Sequence, residues 1–245
     1  MIQNNSVHFF GLSIFPFNYK DFTQIFVEEI NNKRKITITY ATTNSLNLTY
    51  KSSELKNIYG SFDIIHPDGV GIYIASKLLY GKNGFKNRFT GSDFYPYLIK
   101  ELILRKFSIF FFGDTIDTLN KLKINHPELN IVGCNEGFNF NTIALLETIN
   151  SLQPDILIVG LGSPKQERWI MESKNKINAK VFLAVGDGIK VFAGTKIRGP
   201  IFVRKIGLEW MVRLLSNPKY FWKRYIIGIP IFFYRIVKFK FSKHL

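Results

Sequence analysis

Short apolar runs alternate with amphipathic stretches of about a dozen residues along most of this chain. Residues 107–112 and 155–160 are typical of buried strands, and each run is followed by apolar side chains at helical spacing. Parallel strands require such crossovers, since each strand must begin again at the same end of the sheet. The alternation therefore predicts an α/β fold, with a largely parallel sheet covered by helices on both faces.

Composition agrees with a globular protein in a reducing compartment. Of the 245 residues, 46% are apolar, which can build the core of one large domain or two small ones. Cys134 is the single cysteine, so an internal disulfide is excluded. The first residues lack a basic segment followed by an apolar secretory core. We expect a cytosolic protein.

The positive charge is concentrated at the C-terminus. The net charge is +15, and residues 198–245 contain eleven Lys and Arg but one acid, Glu209. Aromatic residues are interleaved with these cations, which a merely solvated face would not need. We predict an α/β core over residues 1–197 and a basic helical appendage over 198–245. Its partner is an anionic membrane surface or a nucleic acid.

The appendage is not expected to cross a membrane. Its apolar run over residues 226–234 is about half of the roughly 18 residues that a spanning helix needs, and Pro230 interrupts it. This pattern favours a segment that lies on the membrane surface.

Asp68 stands between an apolar strand-like run, residues 62–65, and a helical pattern that begins at Val70. A strand-to-helix turn is where α/β folds place their ligands, so Asp68 is a candidate catalytic base. Pro67-Asp68-Gly69 is also a common turn sequence, because proline fixes φ and glycine permits positive φ. The tripeptide alone does not separate the two roles.

Two further polar stretches follow predicted strands or precede predicted helices. Arg88 lies in a glycine-containing loop, and Ser92 is a plausible N-cap for the helix after it. Thr42 and Asn44 follow a strand-like run, where they could cap the next helix or contact a ligand. An arginine near a carboxylate is what transfer from a phosphate-bearing donor requires.

The stretch Gly160 to Trp169 predicts a helix start. Ser163 as N-cap with Gln166 three residues later fits a capping box. Glycines followed by a helix N-terminus also suit a phosphate site, and Gly162 would let the backbone approach it. Lys165 holds the position of the third glycine in a dinucleotide fingerprint, so NAD binding is not indicated.

Motifs for metal chemistry are missing from the sequence. It contains no His-Glu-x-x-His, no paired-cysteine spacing and no Asp-x-Asp. We therefore expect metal-independent chemistry, without a cofactor, in which arginines, lysines and helix N-termini stabilise the leaving phosphate.

Six motifs in order resemble the bacterial WecG/TagA/CpsF glycosyltransferases, over about residues 42–218. They are Thr42-x-Asn44, Pro67-Asp68-Gly69-x-Gly71, Arg88-x-Thr90-Gly91-x-Asp93, Gly160-Leu161-Gly162-x-Pro164-Lys165-Gln166-Glu167, Ala193-Gly194 with Pro200, and Gly207-Leu208-Glu209-Trp210 with Arg213-Leu214. Each motif alone is weak, but six at family-like spacing are specific.

This resemblance implies a Rossmann-like fold and an inverting, metal-independent sugar transfer in cell-surface polysaccharide synthesis, such as teichoic acid synthesis. The implied donor is a UDP-sugar, N-acetylmannosamine or a related hexose derivative, and the acceptor is a sugar on a polyprenyl diphosphate at the inner face of the cell membrane. Asp68 would be the general base. The implied substrate-binding residues are Thr42, Asn44, Arg88, Gly162, Gln166, Glu167, Asp187, Arg213 and Arg224.

The chain departs from the family pattern at one place. Lys190 occupies a position expected to be acidic, and Asp187 is the candidate to replace that acid. The departure bears on which donor sugar is used more than on the reaction type. The rival hypothesis from another class is a nucleic-acid-binding module, without catalytic activity, that uses the basic aromatic C-terminus.

Overall fold

The computed structural model describes residues 6–242. Its strands are β1 (Val7–Phe9), β2 (Leu12–Ile14), β3 (Ile36–Ala41), β4 (Ile64–Pro67), β5 (Ile109–Gly113), β6 (Ile131–Asn135), β7 (Ile156–Gly160) and β8 (Val181–Ala184). The helices of the first 192 residues are α1 (Tyr19–Asn31), α2 (Thr43–Lys51), α3 (Ser53–Gly60), α4 (Val70–Tyr80), α5 (Gly91–Arg105), α6 (Ile116–Asn125), α7 (Thr142–Leu152), α8 (Lys165–Ser173) and α9 (Ile189–Phe192).

The main sheet has six parallel strands in the order β4-β3-β8-β7-β5-β6. The last strand in sequence, β8, lies at the centre between β3 and β7. Because the strands are parallel, their carboxyl ends meet at one edge of the sheet, where α/β folds bind ligands. The predicted fold class is confirmed.

Helices cover both faces of this sheet, and β5 shows how its side chains alternate between the two cores. Phe110 and Phe112 pack in the core that includes residues of α7 and α8, whereas Phe111 packs with residues of α1, α5 and α6. All three rings are at most 1% exposed. A strand buried on both faces reads as a continuous apolar run, which explains why the sequence signal is strong here.

The first strand-like stretch is a hairpin, not the single strand that residues 7–14 predict. β1 and β2 pair antiparallel through a two-residue turn at Phe10 and Gly11. Both turn residues have positive φ, 53° and 85°, as hairpin turns of this length require. The sequence pattern does not indicate this turn because Phe10 is apolar, whereas turn residues are usually polar. The ring of Phe10 is buried in the core, which explains an apolar residue at this position.

The C-terminal segment, residues 198–242, packs over the carboxyl edge of the sheet. It contains α10 (Ile201–Lys205), α11 (Glu209–Ser216), α12 (Pro218–Trp222), a π-helical turn (Lys223–Ile227) and α13 (Gly228–Ser242). The sequence pattern predicts one helix over residues 201–215, but Gly207 divides it with a φ of 85°. A Cβ on Gly207 would lie 3.0 Å or less from Val70 and Arg88 atoms, so glycine permits this close approach.

Candidate active site

Two adjoining cavities lie between the carboxyl edge of the sheet and the C-terminal segment. The larger, about 1110 Å³, is bordered by residues that follow β3, β4, β7 and β8. The smaller, about 220 Å³, lies between the start of α4 and the C-terminal segment, where Trp210, Ile229 and Phe233 give it apolar walls. Side chains that line both cavities include Asp68, Arg213 and Arg224.

All ten residues singled out from the sequence border these cavities. Thr42, Asn44, Asp68, Gly162, Gln166, Glu167, Asp187, Arg213 and Arg224 line the larger one, and Arg88 lines the smaller. They come from distant parts of the chain and meet because parallel strands end at one edge.

Asp68 is fixed at the end of β4 by two hydrogen bonds. Its backbone N–H donates to the carbonyl of Ala41 at 2.8 Å, and its Oδ1 accepts from the N–H of Gly91 at 2.9 Å. Gly91 is the first residue of α5, and negative charge is favoured at a helix N-terminus. Asp68 is half-buried and held as a hydrogen-bond acceptor, which suits a general base.

The caps of the neighbouring helices differ in part from the predicted ones. Thr42 caps α2 in a reciprocal pair with Ser45, as its sequence position allows. In α5 the cap is Thr90, whose Oγ1 accepts from the N–H of Asp93, and not Ser92. Ser92 instead lies inside the first turn of α5 and lines both cavities.

Gln166 and Glu167 belong to a buried hydrogen-bond network. Glu167 is 1% exposed and accepts hydrogen bonds from Thr39 Oγ1 at 2.8 Å and from Gln166 Nε2 at 2.9 Å. Gln166 Oε1 accepts from the N–H of Gly186 at 2.8 Å, which ties α8 to the end of β8. Ser163 donates to Glu167 Oε2 at 3.1 Å.

The predicted capping box at Ser163 is therefore wrong. α8 starts at Lys165, and its first turn has no side-chain cap. The physical reason is that the buried Glu167 carboxylate recruits both Ser163 and Gln166, because an acceptor without donors is costly inside a protein.

Cations predominate on the wall of the larger cavity. Among residues 6–242, eight Lys and Arg side chains line it against four carboxylates: Lys51, Lys121, Lys190, Lys196, Arg213, Lys223, Arg224 and Arg235 against Asp68, Asp117, Glu167 and Asp187. Asp187 is shared by two of them, since Lys196 Nζ lies 3.2 Å from its Oδ2 and Lys190 Nζ lies 3.5 Å from its Oδ1. Lys190 also lies 3.6 Å from Asp114, so it pairs with acids on both sides.

These charges shift the pKa values of their neighbours. Burial alone would raise the pKa of Asp187, but Lys196 and Lys190 outweigh it and the net shift is downward. Burial lowers the pKa of Lys196, and the nearby positive charge of Arg213 lowers it further.

Arginines also anchor the C-terminal segment to the core. Arg198 forms an ion pair with Asp93, and Arg213 donates to Glu209 at 2.9 Å. Arg88 Nη2 donates to the carbonyl of Arg204 at 2.9 Å. Burial opposes the charge of Arg213, but Tyr225 and Glu209 overcome it and raise its pKa further.

The sequence profile of the glycosyl transferase WecG/TagA/CpsF family matches residues 7–245 of this chain. The chain belongs to this family. It is a glycosyltransferase, and the resemblance drawn from the six motifs is confirmed.

Named members of the WecG/TagA/CpsF family are similar over most of their length. The N-acetylglucosaminyldiphosphoundecaprenol N-acetyl-beta-D-mannosaminyltransferase of Bacillus spizizenii is 31% identical over 185 residues, which is 74% of this chain and 70% of that protein. A protein of the same name from Staphylococcus aureus is 32% identical over 179 residues, 71% of this chain and 68% of that protein.

Lys196 lines the larger cavity of this family member and was missed from its sequence. It lies between the two parts of a motif, Ala193-Gly194 and Pro200, without belonging to either. Arg235 of α13 also lines this cavity, and the family resemblance offers it as a further candidate beside Arg213 and Arg224. The signal available for Lys196 was its position next to the Lys- and Arg-rich C-terminal segment.

Within residues 6–242, no helix is both long enough and apolar enough to span a bilayer. Large apolar side chains are nevertheless exposed on the C-terminal segment. Ile201, Phe202 and Leu215 are 63%, 71% and 77% exposed.

Proposed function

We propose that this glycosyltransferase moves N-acetylmannosamine, or a related hexose derivative, from a UDP donor to a sugar on a polyprenyl diphosphate. The names of the relatives support the sugar and the acceptor. The observation that carries the proposal is the position of Asp68, whose side chain lines both cavities and whose carboxylate is held by Gly91. The Asp68 carboxylate can therefore contact a substrate in either cavity.

The two cavities suit different substrates. The larger has an excess of cations on its wall, which favours the nucleoside diphosphate sugar. The smaller combines Arg88 with Trp210, Ile229 and Phe233, which suits a diphosphate attached to an apolar chain. The acceptor sugar would then enter between them, next to Asp68.

In the proposed reaction, Asp68 takes the proton from the acceptor hydroxyl as that oxygen attacks the anomeric carbon of the donor. The bond from this carbon to the diphosphate oxygen breaks, and its electron pair leaves with UDP. Direct displacement inverts the anomeric centre. Arg213 and Arg224 meet the charge that develops on the leaving diphosphate, so that the proposed chemistry runs without a metal ion.

The decisive test is a panel of UDP-sugars with a short-chain polyprenyl diphosphate N-acetylglucosamine, scored for released UDP. We expect UDP-N-acetylmannosamine or a close derivative to react, also in the presence of EDTA, and NMR of the product to show an inverted anomeric centre. Retention of configuration, or a requirement for divalent metal, would contradict the proposed mechanism. Absence of transfer from every donor would overturn the proposed function.

We also propose that the C-terminal segment binds the anionic inner face of the cell membrane. Exposed apolar side chains such as Phe202 lie next to Lys205 and Arg204, and each basic residue near an anionic surface adds up to about 1 kcal/mol. Phe138 offers a matched control, because it is 76% exposed but follows β6 in the core.

In a sedimentation assay with anionic vesicles, Phe202→Ser should pellet less than the wild-type protein and Phe138→Ser should not. Equal pelleting of all three proteins would count against this surface. Salt-dependent binding to oligonucleotides together with indifference to vesicles would favour the nucleic-acid alternative instead.

A further inference from the structure

Lys196 is a buried ammonium group on the wall of the larger cavity. Its side chain is 8% exposed, although lysine is almost never buried without a reason. The ion pair that the structure gives it is with Asp187, at 3.2 Å, and Asp187 is itself shared with Lys190. The charge of Lys196 is therefore only partly compensated by protein.

Arg213 lies close enough to oppose the charge of Lys196. Its positive field, after burial, is the largest influence that lowers the pKa of Lys196. Two buried cations that approach each other destabilise a protein unless an anion lies between or beside them. Glu209 and Asp187 supply part of this compensation, but each of these carboxylates also has a second basic partner.

A second observation also points to an anionic ligand on this wall. The Nε atom of Arg213 is buried and has no hydrogen-bond partner among the described residues. A guanidinium N–H without an acceptor costs free energy, and the cavity that it shares with Lys196 is where an acceptor can enter. The unpaired Nε–H of Arg213 and the partly compensated ammonium of Lys196 lie on one wall of the cavity, and together they can bind an anion.

We infer that Lys196 and Arg213 together bind a substrate diphosphate, with Lys196 supplying a contact for which no role has been assigned. The inference rests on the proposed function, because it takes the anion to be a reactant. Two diphosphates take part in that reaction, on the nucleotide and on the polyprenyl acceptor. Lys196 lines the larger cavity and not the smaller, so we expect the nucleotide diphosphate.

In this assignment Asp187 positions Lys196, whereas the sequence suggests that Asp187 contacts the donor sugar. In the free protein its carboxylate holds Lys196 at 3.2 Å. When the diphosphate binds, its oxygens would share Lys196 with Asp187 and would reduce the repulsion from Arg213. The cations are thus already in place before the substrate arrives, which lowers the cost of binding.

The test compares Lys196→Met and Lys196→Arg with Lys100→Met, a control on the exposed face of α5 that lines neither cavity. Calorimetric titration uses UDP, uridine and farnesyl diphosphate as three separate ligands. We expect Lys196→Met to weaken UDP binding by about 10-fold to 100-fold, as for loss of a charge-assisted hydrogen bond. Uridine binding should change less than 2-fold, and Lys100→Met should behave as wild type.

The farnesyl diphosphate arm identifies the source of the diphosphate. Weakening confined to farnesyl diphosphate would support the anion site and assign it to the acceptor. If neither diphosphate binds Lys196→Met more weakly than wild type, the inference is overturned. It is also overturned if wild type binds neither.

Thermal unfolding without ligand separates binding from a structural role. Lys196→Met removes a positive charge that Arg213 repels, so the Tm without ligand should stay unchanged or rise. The increase in Tm that UDP causes should be smaller than in wild type. A lower Tm together with weaker uridine binding would show that Lys196 only holds the wall in place. Lys196→Arg keeps the positive charge and should retain most of the UDP affinity. If Lys196→Met fails to fold, this second variant still tests the inference, because loss of UDP affinity in a folded Lys196→Arg would contradict it.

This experiment also distinguishes two failures. A wild-type protein that binds UDP through Lys196 but transfers no sugar would refute the proposed function and leave the anion site standing. Sugar transfer by the wild-type protein, together with wild-type affinity of Lys196→Met for both diphosphates, would refute the anion site alone.

Discussion

Asp68 Oδ1 accepts a hydrogen bond of 2.9 Å from the backbone N–H of Gly91, and this bond joins the end of β4 to the start of α5. Twenty-two residues separate the two in sequence. The bond fixes the carboxylate of a residue that lines both cavities and places it at a helix N-terminus, where negative charge is favoured. An aspartate in an ordinary turn would bond to its own backbone, as turn aspartates do.

Replacing Asp68 by Asn tests its role as base. The amide oxygen can still accept from Gly91, so we expect an unfolding free energy close to that of wild type. The amide cannot take a proton, and transfer should fall about 10²-fold to 10⁴-fold with little change in donor KM. UDP release measured with the lipid-linked acceptor checks this.

Asp63 provides the matched control, because it lies at the opposite end of β4. Its Oδ2 accepts from the N–H and the hydroxyl of Thr37, both at 2.7 Å, far along the strand from the cavities. Asp63→Asn should lose about 1 kcal/mol of stability and keep its turnover. Comparable turnover in Asp68→Asn and Asp63→Asn would show that Asp68 is not the base.

Glu167→Gln should lower the stability of the protein by disturbing the hydrogen-bond network around residue 167. The wild-type carboxylate accepts from Thr39, Ser163 and Gln166, and a glutamine would point an N–H₂ group at one of these donors. We expect a loss of about 1–3 kcal/mol in urea unfolding.

Turnover of Glu167→Gln should fall as well, because Gln166 would release the N–H of Gly186 at the cavity wall. Glu172→Gln, on the exposed face of the same helix, is the control and should match wild type. An unchanged unfolding midpoint in Glu167→Gln would contradict the hydrogen-bond network described here.

Arg235 should hold α13 against the core. Its Nη1 donates to the carbonyl and the side-chain oxygen of Asn47, at 3.0 and 2.7 Å, and its guanidinium lies 4.4 Å from the ring centre of Tyr50. Arg235→Met should speed tryptic cleavage near Lys219 and Lys223, since α13 opens more often.

Lys238→Met is the control for this experiment. It removes one tryptic site from the same helix, but from an exposed position. Equal cleavage rates in Arg235→Met and Lys238→Met would show that the contacts of Arg235 with Asn47 and Tyr50 do not determine the docking of α13.

The strands, and the position of the site at the carboxyl edge of the sheet, could be predicted because both depend on local sequence patterns. Buried parallel strands are apolar throughout, and polar residues after them converge at one edge whatever the details of packing. Asp68 and Gln166 lie at the cavity wall for this reason.

The remaining features depend on contacts between distant residues. Gln166 fits a capping box by spacing, yet Glu167 and Gly186 recruit its side chain. The break at Gly207 follows from the close approach of Arg88 and Val70, which no local pattern records. The burial of Lys196 likewise depends on distant residues, since it pairs with Asp187 and lies in the field of Arg213 from α11, and no local pattern records this.

His66 should make the stability of the protein depend on pH. It lies one residue before Pro67 at the end of β4, is fully buried, and has a pKa lowered to about 3 by burial, although the carbonyls of Pro67 and Phe17, which would accept hydrogen bonds from the protonated ring, oppose the shift. Its Nε2 accepts from the N–H of Phe17 at 3.1 Å, which fixes the neutral ring with the proton on Nδ1.

Between pH 3 and 6.5 the unfolded chain therefore binds a proton at this histidine that the folded protein does not bind. Stability from this group is fully present above about pH 6.5 and falls as the pH is lowered toward 3. From pH 7 to pH 5 we expect a loss of about 2 kcal/mol in the free energy of unfolding.

The control is His66→Gln, whose amide can still accept from Phe17 but cannot be protonated in this range. Its free energy of unfolding, measured by urea titration at pH 7, 6 and 5, should be lower than that of wild type at pH 7 and should change less with pH. Parallel curves for the two proteins would show that His66 is protonated in the folded state. In that case the aromatic cluster around it, with Phe89 at 3.9 Å between ring centres, would have to tolerate a buried positive charge.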